Sequence, residues 1–340
     1  MIVTKSNAFY FHKETLFVKK VFVCALLFLT ILLTFGELYP RKSQKIDLST
    51  GAGISKMLRY DDAQVYLFGE THRCTEYQQF RNVLFKYLVK EKGVRVFVEE
   101  AGYATTFLEN ETVQGRLSFS DWLDRCTSSK EDYELYQWIA DWNSGREDAD
   151  KISIIGIDIT DNIGNMQMLC QYLLKTCNFT GADVQTQRLL TAIRKQNPFS
   201  SLQLQTFQDE FLPQLIELYQ TKPEQLENVL GTQAMHLERA LLGWQEALEQ
   251  QRLRGKAEQL GDSDDVYREN CLYENFMREY QERPDTKYYG EFGAAHVLMS
   301  DYSGKIYRVQ NSFVTRLAEE GSPLNLSLIH ISEPTRLDVI

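Results

Sequence analysis

The sequence predicts an α/β fold: a mostly parallel central sheet flanked by helices, with an inserted helical subdomain. Three observations carry this expectation. Short β-prone runs at residues 64–68, 94–98 and 152–157 each lead into carboxylates; a helical period fills the interval between the first two; and residues 183–256 are helical in pattern with no strand signal. Strands that alternate with helices favour a parallel sheet, and open sheets of this kind collect ligands beyond the carboxyl ends of their strands.

The elements follow in chain order. Lys19 and Lys20 precede an apolar stretch at residues 21–35, followed by Gly36 and polar sequence, so residues 1–40 read as an export signal or a membrane anchor. The remainder is expected outside the cytoplasm, periplasmic or at the cell envelope. Basic residues stand on both sides of the stretch (Lys13, Lys19 and Lys20; Arg41, Lys42 and Lys45), so charge bias sets no orientation. A polar linker, residues 41–60, leads to the main domain, residues 61–325. Its first strand, residues 64–68, runs into a helix at residues 75–92 with Tyr77, Phe80, Leu84, Tyr87 and Leu88 on the buried side and Gly93 as its stop. Residues 94–98 form a second strand ending in Glu99-Glu100-Ala-Gly102, and the helix between the two makes a parallel unit.

Residues 118–126 and 131–143 read as helices whose aromatic residues, Phe119, Trp122, Tyr133, Tyr136, Trp138 and Trp142, serve packing. The third strand, residues 152–157, is almost wholly apolar, as strands buried on both faces are, and ends in Asp158. The helical insertion, about residues 183–256, is punctuated by Pro198, Pro213 and Pro223 and acts as a lid or as inert packing; His236 within it reads as a packed or solvated histidine. A helix at residues 263–283, with Ser263 as N-cap and Pro284 as stop, precedes late strands at residues 288–291 and 306–309.

The 340 residues are 43% hydrophobic and 25% charged, enough for one large core. A net charge of -10 argues against nucleic acid, whose phosphates need clustered Lys and Arg. Cys24 lies in the apolar stretch; Cys74, Cys126, Cys170, Cys177 and Cys271 form no CxxC pair and no zinc ribbon. Cys170 and Cys177 are the nearest pair should a disulfide form, and Cys74 reads as a bystander of the site. The tail Leu326-Ser-Leu-Ile-His-Ile-Ser-Glu-Pro-Thr-Arg336 reads as the in-frame translation of a transposase-based sequencing adapter. Residues 326–340 are therefore expected to be non-native, and His330 is no site candidate.

The chemistry concentrates at Val65-Tyr-Leu-Phe-Gly-Glu-Thr-His72 and at Lys287-Tyr-Tyr-Gly-Glu-Phe-Gly-Ala-Ala-His296, each β-prone and each ending near a histidine. Together the strand ends offer Glu70, His72, Glu99 or Glu100, Asp158 and His296. Imidazole beside carboxylate can accept and return a proton near neutral pH, as hydrolysis requires; the same groups suit zinc or manganese, though no HExxH spacing supports a metal.

These residues resemble the erythromycin esterase family and its wider superfamily, which includes haem-binding uptake lipoproteins and Tiki-type membrane peptidases. Gly69-Glu-Thr-His72 with Glu76 and Arg81 resembles the family's GE-x-H-x-x-x-E opening, and Glu100-Ala101 its strand ending in EA. Trp138 through Asn143 with Gly156-Ile-Asp158 resembles its helix leading to a G-x-D strand end, and Arg268-Glu269-x-x-Leu272-x-x-Asn275 its R-D-x-x-M-x-x-N helix. The resemblance implies that His72 activates water, that Glu70 and Glu100 orient it or hold substrate, that Arg268 binds an anionic or polarised carbonyl group, and that Glu76, Arg81, Asp158 and Asn275 contribute to substrate binding. His296 matches the second histidine of the family's H-N-x-H turn, whereas Gly293 occupies the first, so the resemblance does not carry over a macrolide as the substrate. No G-x-S-x-G nucleophile elbow is present, favouring direct attack by water. The sequence thus reads as an extracytoplasmic hydrolase of an ester or related carbonyl bond in a small-molecule substrate, without a required cofactor. Its rivals are a non-catalytic haem or cofactor-binding envelope protein and a metal-dependent hydrolase or peptidase.

Overall fold

The computed structural model describes residues 46–58, 62–72, 74–121, 129–159, 162–259, 265–300, 302–303, 308–319 and 322–330. The apolar stretch 21–35, Cys24, Trp122, Cys126, Ser263 and most of the expected helix at 118–126 lie outside them. Among the described residues no helix is long and apolar enough to cross a membrane.

The strands are β1 (Val65–Glu70), β2 (Val94–Gly102), β3 (Ser153–Asp158), β4 (Lys287–Gly293), the short β5 (Tyr302–Ser303) and β6 (Arg308–Val309), and β7 (Leu326–His330). Five of them form an all-parallel sheet in the order β3-β2-β4-β1-β7, while β5 and β6 pair antiparallel. The α/β class is as the sequence predicts. β1 and β2 are parallel, but β4 lies between them, so the unit joined by α1 (Thr75–Tyr87) crosses over a strand supplied from 185 residues beyond β2's final residue, Gly102 to Lys287. A wide helical turn, Leu88–Lys92, extends α1 to Gly93, whose φ of 79° is the left-handed conformation that glycine adopts without strain.

The two faces of the sheet are covered differently. Tyr66, Phe68, Phe97 and Tyr289 pack against α1, α2 (Tyr103–Val113), α3 (Lys130–Asn143) and α4 (Ile163–Leu174). Val65, Leu67, Val96, Val98 and Tyr288 face α10 (Val266–Glu282) through Leu272 and Phe276, and α12 (Phe313–Leu317) through Phe313, Val314 and Leu317. Between α4 and α10 stand α5 (Val184–Arg194), α6 (Ser201–Thr206), α7 (Leu212–Thr221), α8 (Pro223–Leu230) and α9 (Ala234–Gln259), and α11 (Ala294–Val297) follows β4. Phe207, Leu215, Leu226 and Leu241 of the helical stretch share one continuous apolar core with the first sheet face. His236 is packed, its Nδ1 2.7 Å from the Tyr103 hydroxyl and its ring beside Phe107. Asp265 precedes α10, and Glu282 ends it two residues before Pro284.

Cys170 and Cys177 are free thiols, as are Cys74 and Cys271. Leu326–His330, the segment read as adapter translation, lies along the β1 edge as β7. Strand pairing uses backbone groups, and the segment is apolar toward both faces, Ile329 meeting the first core and Leu326 and Leu328 the second.

Gly156 in β3 has a packing reason. A Cβ there would lie 2.3 Å from the Ala101 carbonyl oxygen and 2.6 Å from Thr106 Oγ1, where β2 bulges between Glu99 and Gly102. Gly156→Ala is expected to destabilise the fold by at least about 1–3 kcal/mol, because a backbone carbonyl must move. Urea denaturation with an unchanged m-value and a lowered midpoint checks it.

Candidate active site

The carboxyl ends of β1, β2, β3 and β4 open into a cavity of about 970 Å³ lined by Glu70, His72, Glu99, Glu100, Asp158 and Arg268 among others. Side chains alternate across a strand, so consecutive Glu99 and Glu100 serve opposite sides of the sheet end. Glu99 is the register partner of Glu291 in β4, and Glu70 that of Gly293.

On one side, Arg268 of α10 is clamped. Its Nε donates to Asp158 Oδ1 at 2.9 Å and its Nη2 to Asp158 Oδ2 at 2.5 Å and Glu100 Oε1 at 2.7 Å. Burial opposes this charge, but hydrogen bonding and attraction to Asp158 and then Glu100 outweigh it and raise the guanidinium pKa. Glu100 also accepts from the Gly293 N–H at 2.6 Å. Burial alone would raise Glu100; His296, Arg268 and the Gly293 amide together hold it well below the ordinary carboxylate range. His296, 2% exposed, lies beneath this pair with Nδ1 2.5 Å from Glu269 Oε1 and Nε2 3.3 Å from Glu100 Oε1. Burial disfavours its charge, yet Glu100 and Glu269 push its pKa up to about 9. Its Nε2 also lies 3.2 Å from Arg268 Nη1, and the ring does not line the cavity, so His296 is enclosed by Glu100, Glu269 and Arg268 and supports Glu100 from beneath.

His72 differs: its side chain is 65% exposed and its Nδ1 pairs with Glu70 Oε1. The Glu70 hydrogen bond is the largest influence on the ring, raises its pKa and outweighs burial. A Cβ on Gly293 would lie 3.0 Å from His72 Nε2, so Nε2 sits over Gly293 at the cavity. The departure seen in sequence thus has a steric counterpart, because any side chain at 293 would displace the His72 ring.

The other side of the cavity was not foreseen as a unit. Arg81 of α1 reaches Glu291 Oε2 through Nη1 at 3.1 Å and Asp132 Oδ1 through Nη2 at 2.8 Å. Burial opposes its charge, and Glu291 and Asp132 more than restore it. Tyr136, read from sequence as packing, donates its hydroxyl to Glu99 Oε1 at 3.0 Å. Glu109 of α2 lies beside Glu99, and burial raises both carboxyls, Glu109 the more strongly. Burial also pushes Glu291 up to about 7, with Arg81 opposing and Glu70 reinforcing.

Glu70, His72, Glu100, Arg81, Asp158 and Arg268 therefore converge on one cavity, with His296 directly beneath it. Two expected substrate contacts fall elsewhere. Asn275 donates from Nδ2 to the Ile157 carbonyl at 3.0 Å and so fastens α10 to β3; Glu76 is exposed and accepts from the Cys74 thiol at 3.2 Å. Neither lines the cavity. Arg268 and Asn275 do share a helix face, as their spacing predicts, but that face meets β3. Among the described residues no group of three or more His, Cys, Asp or Glu side chains is arranged to hold a metal ion.

Comparison of the backbone with solved structures aligns 85% of this chain with 76% of a mutant of the erythromycin esterase EreC in its open conformation, at a TM-score of 0.57 and 14% identity. The chain shares that esterase's fold. It is similar also to a crystal structure of a Bacillus cereus protein (TM-score 0.56, 18% identity, 84% of this chain and 71% of that) and of a succinoglycan biosynthesis protein (TM-score 0.55, 17% identity, 85% and 71%). No protein-family model matches the sequence, and no curated protein matches it.

Proposed function

We propose that this chain is an extracytoplasmic hydrolase that cleaves an ester or related carbonyl bond of a small molecule by water activated at His72. What carries the reading is the Glu70–His72 pair at the open rim of the cavity: the carboxylate fixes Nδ1, and Nε2 faces the cavity to take a proton from water. Water attacks the carbonyl carbon as its proton passes to Nε2, and Glu70 stabilises the resulting imidazolium. His296, the Arg268 clamp and the Gly293 amide hold Glu100 ionised beneath the ring, which favours the same charge. The extracytoplasmic placement is supported by the Lys19-Lys20 pair ahead of the apolar residues 21–35, the segment that would also provide membrane attachment.

The test is turnover of an ester and lactone panel by the protein with and without chelator. The outcome expected is chelator-insensitive hydrolysis; absence of turnover across the panel sinks the proposal. Because the base must be neutral, kcat/KM rises with pH through the raised pKa of His72. Glu70→Gln removes the group that raises it most, so the rising limb is expected to move to lower pH while the plateau falls, which a pH–rate profile measures.

A further inference from the structure

The steps above leave three cavity-lining carboxyls unused, those of Glu99, Asp132 and Glu291. We infer that Glu291 is the general acid of this hydrolysis, the group that protonates the leaving oxygen; this assignment rests on the hydrolase reading. The pairing of the strands is the starting point. Glu291 stands in register between Phe68 of β1 and Glu99 of β2, so the sheet directs the Glu291 and Glu99 carboxyls to one face. Glu109 packs onto Glu99 from α2, and its Oε2 is buried without a hydrogen-bond partner.

The charges facing Glu291 come from every element around it: Arg81 of α1, Asp132 of α3, Glu99 and Glu109 behind it and Glu70 of β1, with Tyr136 and Tyr289 as neutral hydroxyls. With Glu291 itself, five carboxyls thus crowd a single guanidinium, which is shared between Glu291 and Asp132. Buried like charges this close cannot all ionise, so protons are retained. Glu109 lies against Glu99 at the back, where Tyr136 donates to Glu99. Glu291, held by Arg81 Nη1, opens to the same cavity as His72. Its carboxyl, pushed up to about 7 by burial, is populated in both forms near neutral pH, as an acid that is recharged each turnover must be.

The proton balance closes. The water oxygen bonds to the carbonyl carbon while its proton goes to His72 Nε2. The carbon–oxygen bond to the leaving group then breaks as Glu291 gives its proton to that oxygen, releasing an alcohol and an acid. Solvent carries the His72 proton back to Glu291.

The experiment compares 4-nitrophenyl butyrate, whose leaving group departs without a proton, with ethyl butyrate, whose leaving group needs one, using the full chain. In the wild type, kcat/KM for the ethyl ester is expected to fall as pH rises through about 7, and that limb is expected to be absent for the nitrophenyl ester. In Glu291→Gln the ethyl-to-nitrophenyl ratio of kcat/KM is expected to drop about 10²- to 10⁴-fold. Glu99→Gln removes one of the neighbouring negative charges and is expected to shift the falling limb to lower pH. An unchanged ratio, or a falling limb common to both esters, overturns the role of Glu291 and leaves His72 hydrolysis standing. Should Glu291→Gln fail to fold, the two wild-type profiles decide. Turnover of neither ester overturns the hydrolase reading and this assignment together.

Discussion

His72→Ala is expected to lower kcat/KM by about 10²- to 10⁴-fold, the range by which a positioned base accelerates proton transfer. Stability should fall by only about 1–2 kcal/mol, because the ring is 65% exposed and its removal opens no core cavity, the cost being the partner lost by Glu70. The combination is diagnostic. A buried packing histidine would lose stability in step with activity, whereas a base at a rim loses chiefly activity. Parallel measurement of ester turnover and of the urea midpoint separates the two, and a variant that retains wild-type turnover removes His72 from the chemistry.

Arg268→Ala should act oppositely, through the fold first. It strips Asp158, 4% exposed, of its guanidinium and leaves Glu100 with His296 and the Gly293 amide alone. Breaking a buried ion pair from one side costs about 3–5 kcal/mol, because the stranded charge remains desolvated. Arg268→Lys retains the charge but not the fork that meets both Asp158 oxygens, and should fall between the two. The pH dependence follows from Glu100. Its folded-state pKa lies below its unfolded value, so its contribution is present above the ordinary carboxylate pKa and is lost as pH falls through the depressed one. Without Arg268 that depression shrinks, and acid unfolding should begin at a higher pH. Chemical denaturation at neutral pH and an acid titration followed by circular dichroism check both statements.

What the sequence made legible was what local pattern encodes. Glu70, Glu99 or Glu100, and Asp158 end strands by pattern alone, whereas Arg268 was singled out by the family resemblance, its seven-residue spacing from Asn275 adding only that the two share a helix face. The Arg81 side could not be read as a unit. Glu291 meets Glu99 only because β4 enters between β1 and β2, and strand order is a long-range property that no local period carries. Glu109 looks like any charged helix residue until its helix is laid over the end of β2, and Tyr136 carries the same apolar ring whether it packs or donates its hydroxyl. Asn275 failed in another way. Its helix face was read correctly, but the surface opposite proved to be a strand carbonyl rather than the cavity. His296 was legible as a site residue, whereas the rise in its pKa was not, because that depends on Glu100 and Glu269 being packed on either side of it.

The insertion of β4 between β1 and β2 has a kinetic meaning. Until residues 287–293 emerge, the two N-terminal strands have no common partner and each presents an open edge, so contacts of very high sequence separation must close before a cavity exists. A nascent chain of this topology therefore gains its reactive pocket in a late step of assembly, and until then its bare strand edges are the part most exposed to aggregation.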